Sequence, residues 1–261
     1  MKIEVPTLAE LKEKNKKAEI VFWVGCAGSF DERAKKITKA FAKILVDSKI
    51  SFAVLGSEEI CTGDPAKRSG NEFLFQMQAM QNISTLDKYG VKKIVTTCPH
   101  CFNTLKNEYP ELGGTYEVIH HSQFLDELIK NKKLSFKDGL YKGKRITYHD
   151  ACYLGRANQV YESPRNLIRK LKAELIEMKN CKSKGLCCGA GGAQMFKEPE
   201  KGHKDVNILR TEEALDTGSD VIAVACPFCN IMMSDGVKAL DENKKTIVLD
   251  IAELVSKAEE F

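Results

Sequence analysis

Asp220-Val221-Ile222-Ala223-Val224-Ala225-Cys226-Pro227-Phe228-Cys229 is a short apolar run that stops at a Cys-Pro-X-Cys. Its length and composition read as a buried strand. Proline is at home in the first turn of a helix, so Pro227 marks a helix start. A strand leading into a helix, with two thiols at the junction, is one unit of an α/β layer. The same unit occurs earlier, where an apolar run over 93–97 meets Cys98-Pro99-His100-Cys101.

The cysteines show that this is an internal duplication. Cys26 to Cys61 is 35 positions, and so is Cys152 to Cys187. Cys61 to Cys98 is 37, against 39 from Cys187 to Cys226. Strands are expected over 19–24, 51–55, 93–97 and 116–120, and again over 145–149, 173–178, 220–225 and 246–250. Helices are expected from about Asp31, over 72–88, from Cys98 to about Tyr109 and over 123–130. Their later counterparts open at Ser163-Pro164, as N-cap and first helical residue, over 206–215, beyond Cys226 and over 251–257. Leu74, Met77, Met80 and Ile83 recur at helical spacing and read as core. Met195-Phe196 and Met232-Met233 read as core or interface.

Strands alternating with helices imply parallel sheets. The expected fold class is α/β, with two pseudo-symmetric, Rossmann-like repeats, each a short parallel sheet flanked by helices. A lead-in helix at 1–18, with Thr7 and Glu10 as a capping box, precedes a first domain at 19–131. A polar linker at 132–144 leads to a second domain at 145–261. Cys26, Cys98, Cys152 and Cys226 each follow a strand directly. Ligand sites in open α/β sheets lie beyond the carboxyl ends of the strands, so each half gathers its thiols on one edge.

Composition narrows the chemistry. The 261 residues are 43% hydrophobic and 29% charged, as a packed core requires. A net charge of +4, with scattered lysines, gives no footprint for nucleic acid. No apolar run approaches a membrane span, and residues 1–17 hold no apolar signal-peptide core. The expected location is cytoplasmic, with attachment to an inner membrane only through a partner. Ten cysteines in 261 residues, about 4%, are too dilute for a disulfide scaffold. In a reducing compartment, clustered thiols more often bind metal or carry redox chemistry.

Each half offers thiols from three separate loops. Cys26, Cys61, Cys98 and Cys101 form a first set. Cys152, Cys187, Cys188, Cys226 and Cys229 form a second. Four thiolates suit a zinc or a cubane iron–sulfur cluster; five exceed either by one. The stretch Gly185-Leu186-Cys187-Cys188-Gly189-Ala190-Gly191-Gly192 is otherwise built of small residues. Gly189, Gly191 and Gly192 can turn backbone N–H groups toward cluster sulfurs, a lever on reduction potential. A thioredoxin-like reading of Cys-X-X-Cys leaves five of these cysteines unused.

Cys152…Cys187-Cys188-Gly189…Cys226-Pro227-Phe228-Cys229 resembles the cysteine-rich CCG domain. That domain occurs, usually twice, in the cysteine-rich components of heterodisulfide reductase and in related bacterial iron–sulfur oxidoreductases. The resemblance covers about 20–254. It implies a non-cubane 4Fe-4S cluster on Cys152, Cys187, Cys188, Cys226 and Cys229, with chemistry centred on Cys187 and Cys188. The first half departs from the pattern, because Thr62 stands where a second thiol belongs. Its four cysteines are left for a second 4Fe-4S cluster or a zinc.

The implied function is an iron–sulfur oxidoreductase or electron-transfer subunit of a heterodisulfide-reductase-like complex. A relay subunit of a respiratory lactate- or glycolate-type oxidation system, and a zinc-stabilised non-redox protein, are the alternatives. The expected partners are a ferredoxin-like 4Fe-4S protein, membrane-anchored in some settings, and a flavoprotein. His149, three residues before Cys152, could move a proton or tune the second cluster. His120 or His121 could line the site, and His100 could replace a ligand if the first site is zinc. Lys67, Arg68 and Arg156 are candidates for attracting an anion. Cys181 has no counterpart in the first half and reads as an ordinary thiol.

Overall fold

Two four-stranded parallel sheets carry the molecule, and each begins with a strand that ends at a cysteine loop. The computed structural model describes residues 4–136, 139–198, 202–241 and 245–260. The expected lead-in and linker therefore lie partly outside the described residues, at 1–3 and 137–138.

A one-and-a-half-turn helix, α1 (Leu8–Glu13), opens the chain. Thr7 caps it through a reciprocal pair: Glu10 N–H donates to Thr7 Oγ1 at 3.2 Å, and Thr7 N–H to the Glu10 carboxylate at 2.8 Å. Then come β1 (Ile20–Trp23), α2 (Gly25–Phe30), α3 (Ala34–Asp47) and β2 (Phe52–Ala53). α4 (Asp64–Arg68) and α5 (Glu72–Lys88) lead to β3 (Lys93–Thr96) and α6 (Pro99–Asn103). β4 (Glu117–His120) and α7 (His121–Lys130) complete the first half. A two-residue strand, β5 (Ser135–Phe136), follows.

The second half repeats the plan. It runs β6 (Arg145–Tyr148), α8 (Cys152–Gly155), α9 (Glu162–Lys170), β7 (Glu174–Ile176), α10 (Val206–Leu215), β8 (Val221–Val224), α11 (Pro227–Leu240), β9 (Ile247–Asp250) and α12 (Ile251–Ala258). A last short strand, β10 (Glu259–Glu260), pairs antiparallel with β5, so the chain end closes onto the expected linker.

The strand orders are β2-β1-β3-β4 and β7-β6-β8-β9, parallel throughout. The chain leaves the first strand on one side and returns on the other, so order reverses between β1 and β3, and between β6 and β8. Such a switch point opens a crevice beyond the strand ends. Cys26 and Cys98 flank one crevice; Cys152 and Cys226 flank the other.

The halves interlock. α3 packs on α12 and α9 on α7; α6 meets α8 and α11 meets α2. These are reciprocal contacts of equivalent helices, the signature of an approximate twofold. Arg33 adds a fork across the boundary, donating to both Glu253 oxygens at 3.0 and 2.7 Å and to the Val248 carbonyl at 2.9 Å.

Several expectations need correction. Leu74, Met77 and Met80 are 40%, 53% and 61% exposed, not core, while Ile83 is buried as expected. α5 turns Phe75, Ala79, Asn82, Ile83 and Leu86 inward, a face that shares only Ile83 with the one the apolar spacing selects. Ser163 does not cap its helix. α9 starts at Glu162 after Tyr161, which places Pro164 third, still within the turn whose N–H groups have no helical partner. The helix expected from about Asp31 begins at Ala34, whose N–H donates to the Asp31 carboxylate at 2.7 Å. α2 was not expected at all.

Candidate metal centre

The thiols are placed by short backbone rules repeated in each half. Cys98 and Cys226 are the N-cap residues of α6 and α11, Pro99 and Pro227 open those helices, and Cys101 and Cys229 sit one turn in. In both halves the cysteine carbonyl accepts the first helical N–H at 2.9 Å, from Phe102 and Asn230. A helix N-terminus favours negative charge, hence thiolate. Cys26 lies in the first turn of α2, and Cys152 opens α8. All ten cysteines are free thiols.

In the second half Cys188 Sγ lies 3.3 Å from Cys229 Sγ. Cys187 is within hydrogen-bonding reach of both Cys152 and Cys188, and Cys226 of Cys229. The Cys187 thiol is pushed down by its bonds from Cys152 and Cys188, with Gly189 and Gly191 N–H groups adding to them; Gly189 N–H stands 3.3 Å from Cys187 Sγ. The Cys188 thiol is pushed up to about 12, because it donates to Cys187. A Cβ at Gly191 would make ordinary contact with the thiols, 3.7 Å from Cys152 Sγ and 3.9 Å from Cys187 Sγ. Gly192 adopts a left-handed φ of 66° and turns the loop, with nothing within 4 Å of where a Cβ would be.

The first half is a near copy. The Cys61 thiol is drawn down to about 7 by its bond from Cys26 and by Gly63 N–H at 3.5 Å. Thr62 Oγ1 stands 3.9 Å from Cys101 Sγ, the place Cys188 takes beside Cys229. A Cβ on Gly25 would come 3.3 Å from Cys101 Sγ. Burial pushes the Cys98 thiol up, but Cys101 and, across the boundary, Cys226 draw it down further, so it lies well below the ordinary value.

The donor spacing tests which metal group fits. Zinc–thiolate bonds of about 2.3 Å in a tetrahedron bring sulfurs to about 3.8 Å from one another. Among the described residues, the group of three or more donors mutually within 4.8 Å is His149, Cys188 and Cys229. Four thiolates from three loops fit a zinc or an iron–sulfur cluster alike, and the five of the second set are one more than either takes. Arg210 fits an anionic occupant. It is fully buried beside His149, its charge met by Glu213 at 2.6 Å, and its Nη2 has no protein partner.

Arg210 Nε donates to His149 Nδ1 at 2.9 Å, which leaves the imidazole proton on Nε2. Burial, then the Arg210 charge, hold His149 neutral with a pKa of about 3. Sequence patterning hides Arg210, because α10 exposes Val206 and Leu209 and buries Arg210, Thr211 and Ala214. The signal was a cation sharing a helix face with Asn207 and Ala214. Asp150 was also missed. Its carboxylate takes a 2.8 Å fork from buried Arg165 and the Lys182 N–H at 2.6 Å, which ties the Cys187 loop to the end of β6.

The remaining candidates fall into place. His100 Nδ1 is taken by Asp64 at 2.8 Å, and its ring lies 4.4 Å from Tyr153 and 5.2 Å from Phe228 of the other half. Lys67 and Arg68 are engaged with Glu108, and Arg68 with Asp64. Arg156 is exposed. His120 and His121 are fully buried in a polar chain between the halves. Cys181 has Glu177, Arg165, Asp150 and Lys182 as its charged neighbours.

Fold and site together define a duplicated parallel α/β protein that gathers nine of its ten thiols along one shared edge. The chain belongs to the CCG cysteine-rich domain family, whose model matches residues 20–106 and 146–234. It is 45% identical over 256 residues to the probable iron–sulfur-binding oxidoreductase FadF of Bacillus subtilis, covering 98% of this chain and 36% of that one. To the EtfAB:quinone oxidoreductase of Syntrophomonas wolfei it is 43% identical, covering 96% and 36%. To a component of the dihydromethanophenazine:CoB–CoM heterodisulfide reductase of Methanosarcina barkeri it is 36% identical, covering 93% and 59%. The chain thus spans from about a third to three-fifths of these relatives. In fold it is similar to a hypothetical protein from Helicobacter pylori, with a TM-score of 0.59 at 10% identity, over 92% of this chain and 48% of that one.

Proposed function

We propose that this chain is the thiolate module of an iron–sulfur oxidoreductase, holding two clusters and passing electrons between them. Cys152, Cys187, Cys188, Cys226 and Cys229 hold a non-cubane 4Fe-4S cluster; Cys26, Cys61, Cys98 and Cys101 hold a second 4Fe-4S cluster. The observation that carries this reading is the repeated placing of a cysteine at the N-cap and one turn in on α6 and α11, with α6 packed on α8 and α11 on α2 across the boundary.

The bound clusters supply one-electron redox chemistry. The protein supplies the rest. Pro99 and Pro227 open helices whose N-termini favour the thiolates. Gly189 and Gly191 N–H groups stabilise charge on Cys187. Burial of Cys98, Cys226 and Cys229 keeps water from the shared edge. Neutral His149, with its proton on Nε2, is a hydrogen-bond donor beside Cys188 and Cys229. Among the described residues no helix is long and apolar enough to cross a membrane. Electrons pass to and from partners or further domains, a ferredoxin-like 4Fe-4S protein or a flavoprotein. The relatives named for quinone and heterodisulfide reduction support an electron-transfer role in either setting.

Iron and acid-labile sulfide analysis after anaerobic purification tests this. About eight irons per chain are expected, four per cluster. A colourless protein holding two zincs would overturn the reading.

A further inference from the structure

His100 stands between two cysteines, in the Cys98-Pro99-His100-Cys101 turn that opens α6. It is buried, and its Nδ1–H donates to Asp64 Oδ2 at 2.8 Å. Asp64 is buried too and opens α4, three residues after Cys61. Its other oxygen takes the Arg68 Nε–H at 3.1 Å, so both carboxylate oxygens are fixed. One bond thus joins the Cys61 loop to the turn that carries Cys98 and Cys101.

The same ring reaches the other half. It lies tilted over Tyr153, with centres 4.4 Å apart and planes 32° apart, and Tyr153 directly follows Cys152. It meets Phe228 edge to face, at 5.2 Å and 90°, and Phe228 stands between Pro227 and Cys229. Aromatic rings this close attract one another beyond the area they bury. Asn158 holds the backbone beneath. Its Nδ2 donates to the Tyr153 carbonyl at 2.7 Å and, across the boundary, to Asn103 Oδ1 at 3.1 Å.

The repeat shows what is particular to the first half. In its register Asp64 corresponds to Ala190, and His100 to Phe228. The polar pair of one half is an apolar pair in the other. The bond has no counterpart, while the ring position is aromatic in both.

We propose that His100 is a positioning residue for both metal sites, its Nδ1–H fastening the Cys61 loop to its own turn and its ring seating that turn against Tyr153 and Phe228 of the other half. The histidine acts through the loops on which the cysteines are hung. The proposal rests on the reading that those cysteines hold clusters. Its distinctive consequence is that bond and ring act on different halves.

Two anaerobically purified variants separate them. His100→Phe keeps a ring and gives up the bond, as Phe228 does. His100→Asn keeps a donor near the place of Nδ1 and gives up the ring. Electron paramagnetic resonance and a redox titration are the readouts, the first half's signal being the one lost when Cys61 and Cys101 are both replaced by serine. His100→Phe is expected to shift the first half's signal and potential and to leave the second's in place. His100→Asn is expected to shift the second's. A first signal unmoved in His100→Phe, or a second unmoved in His100→Asn, overturns the proposal. So does a second signal that moves in both, as a general loosening of the boundary would produce. Should either variant not fold, Tyr153→Leu removes the contact from the other side, and a first signal unmoved there overturns the role.

If either site of the parent holds no iron, the function reading fails there, and the positioning role is read on chelator-treated protein. Iodoacetamide labelling of Cys61 is then expected to rise about fivefold in His100→Phe, the effect of one lost hydrogen bond. Labelling of Cys152 is expected to rise in His100→Asn, with Cys181 unchanged in both. Unchanged labelling of Cys61 and Cys152 overturns the proposal.

Discussion

Thr62 and Cys188 differ by a hydroxyl and a thiol in the same corner of two equivalent sites. Thr62 is 2% exposed and its oxygen faces Cys101, as the Cys188 sulfur faces Cys229. The two side chains are close in size, so the corner can accept a thiol without repacking. Thr62→Cys is therefore expected to fold and, if each half holds a cluster as proposed, to give the first the resonance signal of the second. Cys188→Ser is expected to do the reverse in the second half alone. Paramagnetic resonance of the two variants checks both, and an unchanged signal in each would show that neither position touches a cluster.

Among the elements, the junction between β6 and the Cys187 loop is held by buried charge. Arg165 has no exposure and meets two carboxylates, Asp150 and Glu177. Burying such a cation is tolerable only while its partners stay, and removing one partner of a buried pair costs about 3–5 kcal/mol. Asp150→Ala should lower unfolding stability by that order in urea titrations. It should also release the loop at Lys182, so faster tryptic cleavage at Lys182 and Lys184 is expected. The equivalent first-half loop uses a different device. There the Glu59 carboxylate takes the Val24 and Gly25 N–H groups at 3.0 and 2.6 Å, with burial raising its pKa to about 7.

At the scale of the molecule, the halves share their outer helices and a buried polar chain, so neither completes its packing alone. A single unfolding transition is expected, with no stable product from residues 1–131 by themselves. The polar chain makes that stability depend on pH. Burial, then the neighbouring His121, hold His120 neutral in the fold, with Asp250 at the far end of the chain. The unfolded chain takes up a proton below the ordinary value of 6.5. The unfolded state thus binds more protons there, and stability falls as pH drops. Glu59, raised in the fold, works in the opposite direction, so the comparison that isolates His120 is with His120→Gln. The stability difference between the two should narrow by up to about 1.4 kcal/mol per pH unit below pH 6.5. Urea titrations at pH 7.0, 6.0 and 5.5 check the slope.

The sequence by itself determined the duplication, the parallel strands, the cysteine sets and the helix starts at Pro99 and Pro227. It could do so because equal spacings, apolar runs and proline positions are local properties of the chain. It also showed Thr62 as the odd member of its pair. Tertiary structure alone decided three other things. Met77 and Met80 face out, because helical spacing defines a stripe but not which neighbour covers it. Arg210 and Asp150 face in, because a buried charge is permitted only by partners distant in sequence. His120 lies between the halves rather than in either site, because an axis between two repeats exists only once they have packed.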